Sequence, residues 1–398
     1  MQDNYSINAL DIKDIKIKKI TKEENNIYFH ITTKTSEQTC PCCGEKTSSI
    51  HDHRIQKIKD IAPIGVNHYL MLDKKRYICH KCGKKFYEKY DFLQKGMHRT
   101  KRLTESIIYG SVDGKSMTQI AKENNVSTTT VSTLLSSFSC ARKTLPKVLG
   151  IDEFKGNLGN ERFQVILTNV EDGKHQIYDI LPDRKELTLI EYFKSIPIKE
   201  RLKVEFVTMD LWKPYKNIVK TYLPNAKIVA DKYHYVRLVG FALERIRTKL
   251  QKNMTPDMRK YYKHSKSILR KKQKNLTSEQ EKELQVMLLY NDDLRVAYNI
   301  KEEFYRILQI DNFFLKRKAF NELISWMLNS YIPEFKDVAK TFYNWEEEIL
   351  NSFRYPKLSN ATTEGFNTKI KALKRCTYGF RNFKRSRNRI LLSTMFNN

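Results

Sequence analysis

Single alternation of apolar and polar residues in "IYFHITT" (27–33) has the period of a half-buried strand. Between 100 and 140 the apolar positions recur at three and four, the period of helices. There "SMTQIAKENNVSTTTVSTLLSSF" (116–138) divides into two short helices around "ENNV". Ile120 and Ala121 pack the first helix, and Asn125 takes the left-handed turn position, which Asn tolerates. Ser127 caps the second helix, and Val131 and Leu134 anchor it. From 147 the pattern becomes strand-like. "VLGIDEF" is an apolar strand, and "RFQVILTNVEDGKHQIYDILPD" is a pair of strands joined at an Asp-Gly turn. An amphipathic helix (186–196), a strand (204–210), a helix opened by Pro214 (214–223) and a further strand (226–231) follow, giving the order β-β-β-α-β-α-β. From 235 to 350 the pattern is helical and largely polar, as in a long insertion, with "RKKQK" (270–274) as a solvated face. A last helical stretch begins near Ser359 or Asn360, either of which can cap it. Phe366, Ile370 and Leu373 share one of its faces; Glu364, Thr368, Lys371 and Arg375 share another, at steps of four, three and four.

Cysteine spacing adds chemistry to the strand-rich start. Cys40 and Cys43 form one CxxC pair, Cys79 and Cys82 another, and Gly44 and Gly83 follow directly. Gly permits the positive-φ turn that brings two thiolates onto one ion, so two such knuckles supply a tetrahedral Zn²⁺ site. The gap of 36 positions from Cys43 to Cys79 exceeds ordinary ribbon spacing and leaves room for strands. Cys42 reads as a bystander thiol, with an alternative pairing to Cys40 left open, and His51, His53 and His80 read as surface histidines. Seven Cys in 398 residues is no disulfide scaffold and fits a reducing cytoplasm.

Charge then narrows the partner. With 73 Lys+Arg against 45 Asp+Glu the net charge is +28, a surplus that implies a polyanion and most directly nucleic acid. No stretch is apolar enough to span a bilayer, and the N-terminus lacks the apolar core of a secretory signal. In this setting segment 116–138 resembles a helix-turn-helix, which offers Thr128, Thr129, Thr130 and Ser132 to a DNA groove. The segment 369–389 holds nine Lys/Arg and no acid. There Lys371, Arg375, Arg381, Lys384 and Arg385 are placed to hold DNA backbone.

Against that basic background, acids stand at element ends: Asp152, Asp210 and Glu364. A strand hairpin, then α/β units, with acids on the first strand, a later strand and a closing helix, resembles the layout of ribonuclease H-like nucleotidyl transferases. There the first strand is central and the fourth pairs beside it. Three carboxylates suit two Mg²⁺ ions, which prefer hard oxygen ligands and can activate the attacking oxygen and stabilise the leaving one. Held together without metal, the acids would raise one another's pKa. Glu153 rivals Asp152, because strand alternation lets one of the two face the site.

The segments "GIDEFKGN", "VTMDLWKPY", "LPNAKIVADKYHYVRL" and "TTEGFNTKIKALKRCTYGFRNFKRSRNRILL" together resemble the ISL3-type insertion-sequence transposases, a bacterial DDE family. The resemblance covers nearly the whole chain. It implies a multidomain α+β architecture: a zinc-binding region over 1–98, a helix-turn-helix over 99–145, and a ribonuclease H-like α/β core over 146–238 and 353–398. That core is interrupted by a helical insertion over 239–352. It implies that Asp152, Asp210 and Glu364 are catalytic and hold two Mg²⁺ (or Mn²⁺) ions. The four paired cysteines would hold structural Zn²⁺. Asp231 and His234 lie in a motif typical of the family; His234 is left between a phosphate contact and packing. Trp212, Tyr215 and Tyr378 are left between stacking on an unpaired base and core packing. The function implied is binding of double-stranded DNA at the element's terminal inverted repeats, strand hydrolysis and transfer to target DNA. A homodimer acting on DNA in the bacterial cytoplasm, at the nucleoid, would carry this out. A structure-selective nuclease and a zinc-containing DNA-binding regulator with an inactive core are the competing readings.

Overall fold

Strands β1 (Ile15–Glu23), β2 (Asn26–Thr33), β5 (Ile50–Asp60) and β6 (Asn67–Ile78) realise the early alternation as one sheet, ordered β1-β2-β6-β5, with β7 (Lys85–Tyr87) on β6. The computed structural model describes residues 10, 12–34, 37–138, 144–157, 161–171 and 173–395. It divides into two units, Met1–Ala141 with Ile370–Asn398, and Arg142–Lys369. In the first unit Ile15, Ile31, Ile58, Leu70 and Leu72 line one buried face of the sheet. A two-stranded piece, β3 (Gln38–Thr39) with β4 (Lys46–Thr47), stands beside it.

Helices α1 (Lys101–Val112), α2 (Met117–Glu123) and α3 (Thr128–Ser137) follow. Each begins at a hydroxyl that accepts a backbone N–H three residues on: Thr100 from Leu103, Ser116 from Gln119, Ser127 from Thr130. Asn125 has φ 50°, and its side chain ties the turn to the β5–β6 connection through Pro63 O, Val66 O and Gly65 N. One anchor differs from the sequence expectation: Leu135 is buried beside Val131, whereas Leu134 is half-buried. Leu135 shares its buried cluster with Leu392 of the last helix, Phe383–Met395. Residues from Ile370 onward thus belong with the first unit, rather than closing the second as expected.

In the second unit, β8 (Val148–Phe154) is the middle strand of a five-stranded sheet with β9 (Gln164–Asn169), β10 (Gln176–Leu181), β11 (Phe206–Met209) and β12 (Lys227–Ala230). The order is β10-β9-β8-β11-β12; β9 and β10 run antiparallel, while β11 and β12 run parallel to β8. Helices α4 (Glu186–Lys194), α5 (Ile198–Arg201) and α6 (Lys213–Tyr222) belong to the crossovers, and Pro lies in the first turn of α6. After β12, α7 (Lys232–Gln251) opens the helical region that runs to Arg354. Its polar sequence still encloses a core: Phe304, Phe320 and Phe342 are buried, with the Phe342 ring tilted against the other two at 5.3–5.6 Å. This core is continuous with that under the sheet. The pair Lys216–Glu348, at 2.8 Å with the carboxylate 1% exposed, ties α6 to the helix Glu346–Arg354. Among the described residues no helix is long and apolar enough to cross a membrane.

Candidate functional site

Parallel pairing decides where the acids fall. Gly150 lies opposite Thr208 and Ile151 opposite Met209, so Asp152 on β8 and Asp210 just beyond β11 leave the sheet at the same end. Asp231 stands just beyond β12, which pairs with β11 in the same direction. Ligand sites of open parallel sheets lie at this end of the strands.

Asp210, Asp231 and His234 form the tightest group, with one ligand atom of each within 4.8 Å of the others. His234 Nε2 lies 3.1 Å from Asp210 Oδ1 and 3.8 Å from Asp231 Oδ2. His234 is therefore neither simple packing nor fully solvent-borne: it pairs with a carboxylate. Asp152 joins the cluster electrostatically. Burial and the charge of Asp210 push its pKa up to about 7. Burial, then Asp231, Glu153 and Glu364, push Asp210 up to about 7 as well. Asp231, 6% exposed, is raised by burial too. Glu364 is exposed at the rim, close enough to act on both Asp210 and Asp231.

Glu153 is held otherwise. Its two oxygens accept from Tyr215 Oη at 3.0 Å and Arg184 Nη1 at 3.0 Å, while Asp152 Oδ2 accepts from Asn367 Nδ2 at 2.8 Å. Alternation separates the two acids incompletely, since Glu153 still acts on Asp210. Tyr215 is buried, and Trp212 stacks on it at 5.7 Å with Arg184 4.4 Å from the Trp212 ring, so both are packing aromatics. Tyr378, in the first unit, is 87% exposed.

The helix Ala361–Cys376 is fastened to the sheet by polar groups that apolar periodicity does not reveal. Thr363 Oγ1 meets Thr168 Oγ1 at 2.8 Å over Gly150, where an added Cβ would lie 2.3 Å from Thr168 Oγ1. Gly150 therefore lets the helix descend onto β8. Asn360, just before this helix, reaches the sheet: its Oδ1 accepts from Thr208 Oγ1 at 2.8 Å on β11. The buried face is Thr363, Asn367, Ile370 and Leu373, with Phe366 half-buried. Asn360→Ala should lower stability by about 1–3 kcal/mol, since it orphans the buried Thr208 hydroxyl. Urea unfolding checks this, and an unchanged midpoint would contradict it.

In the first unit, the four paired cysteines converge. Cys40 Sγ lies 3.6 Å from Cys82 Sγ and Cys43 Sγ 3.5 Å from Cys79 Sγ, and all four fall within 4.8 Å. A tetrahedral Zn²⁺ with Zn–S near 2.3 Å spaces its sulfurs by about 3.8 Å, so the donor set fits that ion. Gly44 and Gly83 have φ 75° and 70°, and their N–H groups donate to the Cys40 and Cys79 carbonyls. Cys42 is exposed and outside the group.

Among the groups expected to meet DNA, Thr128, Thr129, Lys371, Arg375, Arg381 and Lys384 are exposed. Two are partly committed elsewhere: Arg385 Nη1 donates to Ser132 Oγ, and Thr130 Oγ1 lies 3.0 Å from Ser127 Oγ. Arg389, within the same basic run, is 4% exposed and donates to Ser111 O at 2.9 Å and to Lys115 O, a packing role.

Acids at one end of the sheet in the second unit and a four-thiolate ribbon in the first are features that DDE transposases combine, and sequence comparison gives that class. A family model for ISL3-type DDE transposases matches residues 149–390, and the zinc-finger model of transposases IS204/IS1001/IS1096/IS1165 matches residues 36–82. The transposase for insertion sequence element IS1001 of Bordetella parapertussis is 24% identical over 364 residues, covering 89% of this chain and 88% of that protein. The chain belongs to the ISL3 family of insertion-sequence transposases. Family membership carries DNA binding, DNA-cleaving activity, a structural zinc ribbon and use of a divalent metal.

Proposed function

We propose that this transposase cuts the strand at each end of its own insertion sequence and joins the freed 3′-OH to target DNA, with Asp152, Asp210 and Glu364 as the catalytic carboxylates. The observation that carries this reading is the meeting of five acids, Asp152, Glu153, Asp210, Asp231 and Glu364, in a chain of net charge +28. Acids that raise one another's pKa hold protons more tightly while no metal is bound, and a cation of high charge density that displaces those protons relieves the same repulsion. Two Mg²⁺ ions, replaceable by Mn²⁺, would supply a polarised water or 3′-OH and charge stabilisation at the leaving oxygen. Asn367 holds Asp152 in place through its Oδ2, and His234 holds Asp210. Asp231 adds a buried negative charge behind Asp210, which favours cation retention.

The strand order β10-β9-β8-β11-β12 supports a ribonuclease H-like core. The capped pair α2 and α3, with its Asn125 turn, supports a helix-turn-helix, with Thr128 and Thr129 facing bases. With the zinc ribbon it would select the terminal inverted repeats. Lys371, Arg375, Arg381 and Lys384 would hold phosphates and give salt-dependent affinity. Two ends cut together call for a homodimer on DNA. The test is cleavage in Mg²⁺ of DNA bearing the element's ends, wild type beside Glu364→Gln. Nicking at the junction that vanishes in the variant, with binding retained, is the expected result. Binding without a product from either protein would sink the reading in favour of a regulator.

A further inference from the structure

Directly along α7 from the acid cluster, Tyr233, Arg237 and Phe241 fall at steps of four and share one exposed face. Tyr233 is 57% exposed and Phe241 42%, high values for aromatics beside a polar site. The Arg237 guanidinium lies 4.5 Å from the Phe241 ring and 5.8 Å from the Tyr233 ring. Tyr233 in turn meets the His234 ring edge-on at 5.6 Å, so the row begins at the side chain that pairs with Asp210.

The row forms one wall of a cavity of about 280 Å³, closed on the far side by Arg270, Lys301 and Tyr305. That is the small end of ligand cavities and suits one flat ring system. Lys301 is committed to the wall: it is 1% exposed and donates to Leu269 O at 3.0 Å and Lys271 O at 2.6 Å, which fixes the backbone carrying Arg270. Among the described residues neither Arg237 nor Arg270 enters an ion pair.

Gly240 lines the same cavity, inside a helix of 20 residues. Glycine is the poorest helix former after proline. Close packing usually explains it, yet a Cβ built at Gly240 would meet nothing within 4 Å. No neighbour requires the missing side chain; what the glycine preserves is open space.

We infer that this cavity receives one unpaired nucleotide of the DNA strand being processed, its base against Tyr233 and Phe241 and its phosphate on Arg237 and Arg270. Stacking is indifferent to base identity, and two cations select the phosphate. The inference rests on the transposase reading, because it needs DNA at the neighbouring acids.

The test measures binding by fluorescence anisotropy, with Ca²⁺ in place of Mg²⁺, of a blunt duplex and of the same duplex with a short single-stranded tail containing 2-aminopurine. Wild type should bind the tailed duplex on the order of tenfold more tightly and quench the 2-aminopurine, as base–aromatic stacking does. Gly240→Leu, which fills the cavity, and Phe241→Ala should both abolish the gain and the quenching while leaving blunt-duplex affinity unchanged. Gly240→Leu should also keep or raise the thermal midpoint, which separates blocking from misfolding. Equal wild-type affinity for both duplexes, or a preference that survives both substitutions, overturns the cavity assignment and leaves the transposase reading intact if blunt DNA is bound here and the element's ends are cut in Mg²⁺. Failure to bind either DNA overturns both.

Discussion

Asp210→Asn is expected to reduce DNA cleavage by about 10³-fold or more, since it removes a metal-binding charge worth several kcal/mol in the transition state. The same substitution should make the metal-free protein more stable at neutral pH. Both effects have one cause. Asp210 is half-buried and faces Asp231, Glu153 and Glu364, and its pKa stands at about 7, far above the usual carboxylate value. A carboxyl whose folded pKa is raised keeps its proton in the folded state at pH values where the unfolded chain has released it. Its contribution therefore favours folding less and less as pH climbs from the unfolded value, near 4, to the folded value, near 7. Asn carries no charge to desolvate and keeps an oxygen that accepts from His234. The variant should gain roughly 2 kcal/mol over wild type at pH 8 in EDTA, and close to nothing at pH 4, where both side chains are neutral. Comparing the two proteins cancels carboxylates that shift the other way, such as Glu244, which Arg247 and Lys266 hold at about 2 despite its burial. Thermal melts at the two pH values, with and without Mn²⁺, read the difference. Mn²⁺ should raise the wild-type midpoint more than the variant's. A variant less stable than wild type at pH 8, or cleaving at a wild-type rate, would remove Asp210 from the metal-binding role.

What the sequence disclosed of this site follows from what periodicity can carry. Asp152 and Asp210 were legible because one lies near the end of an apolar strand and the other just beyond the end of another, and parallel pairing of those strands brings them to one end of the sheet. Asp231 ends a strand in the same way, yet lies deeper in the cluster than a motif position indicated, at 6% exposure. Gly150, Asn360, Thr363 and Asn367 were not legible as parts of the site. Asn360, Thr363 and Asn367 act through polar contacts with strands 152 to 215 positions away, Gly150 leaves the room for one of them, and a pattern of apolar residues says nothing about such contacts. The same limit explains Phe366, which periodicity set on one face with Ile370 and Leu373: it is half-buried, while Thr363 and Asn367 are buried with those two. In the basic run, charge alone could not separate exposed Arg381 and Lys384 from Arg389, whose guanidinium is spent on the Ser111 and Lys115 carbonyls. Local features fared better. The Ser127 cap, the Asn125 turn and the two CxxC-Gly knuckles depend on neighbours within a few residues, and the structure has each of them.

Stripping zinc from the ribbon should unfold that part of the first unit while the rest of its sheet stays folded. The ribbon has little else to hold it. β3 and β4 pair over two residues each and β7 pairs with β6 over three, and Cys40, Cys79 and Tyr77 are buried outside the apolar cluster of Ile15, Ile31, Ile58, Leu70 and Leu72. A metal held by four thiolates supplies about 10–16 kcal/mol of apparent binding free energy, more than these short ladders can give. Its loss should free the amides of 38–47 and 79–87, including Gly44 and Gly83, whose N–H groups donate into the knuckle turns. Residues 26–33 and 67–74 should remain protected by the β2–β6 and β5–β6 pairing. Cys79→Ser, which removes a buried ligand, should act like the chelator. Cys42→Ser should be silent, because Cys42 is exposed and outside the four-sulfur group. Hydrogen exchange resolved by mass spectrometry, with zinc counted by atomic absorption, checks all three. One zinc per chain in wild type and in Cys42→Ser, and none in Cys79→Ser, is the expected count. If the ribbon reads the element's ends, Cys79→Ser should also lose on the order of tenfold or more in affinity for that DNA over a scrambled duplex, while its phosphate-driven affinity for both persists. Exchange that spreads through β1 and β2 on chelation would instead mean that the ion supports the whole sheet. A ribbon that stays protected without metal would mean that its fold rests on contacts other than the four sulfurs.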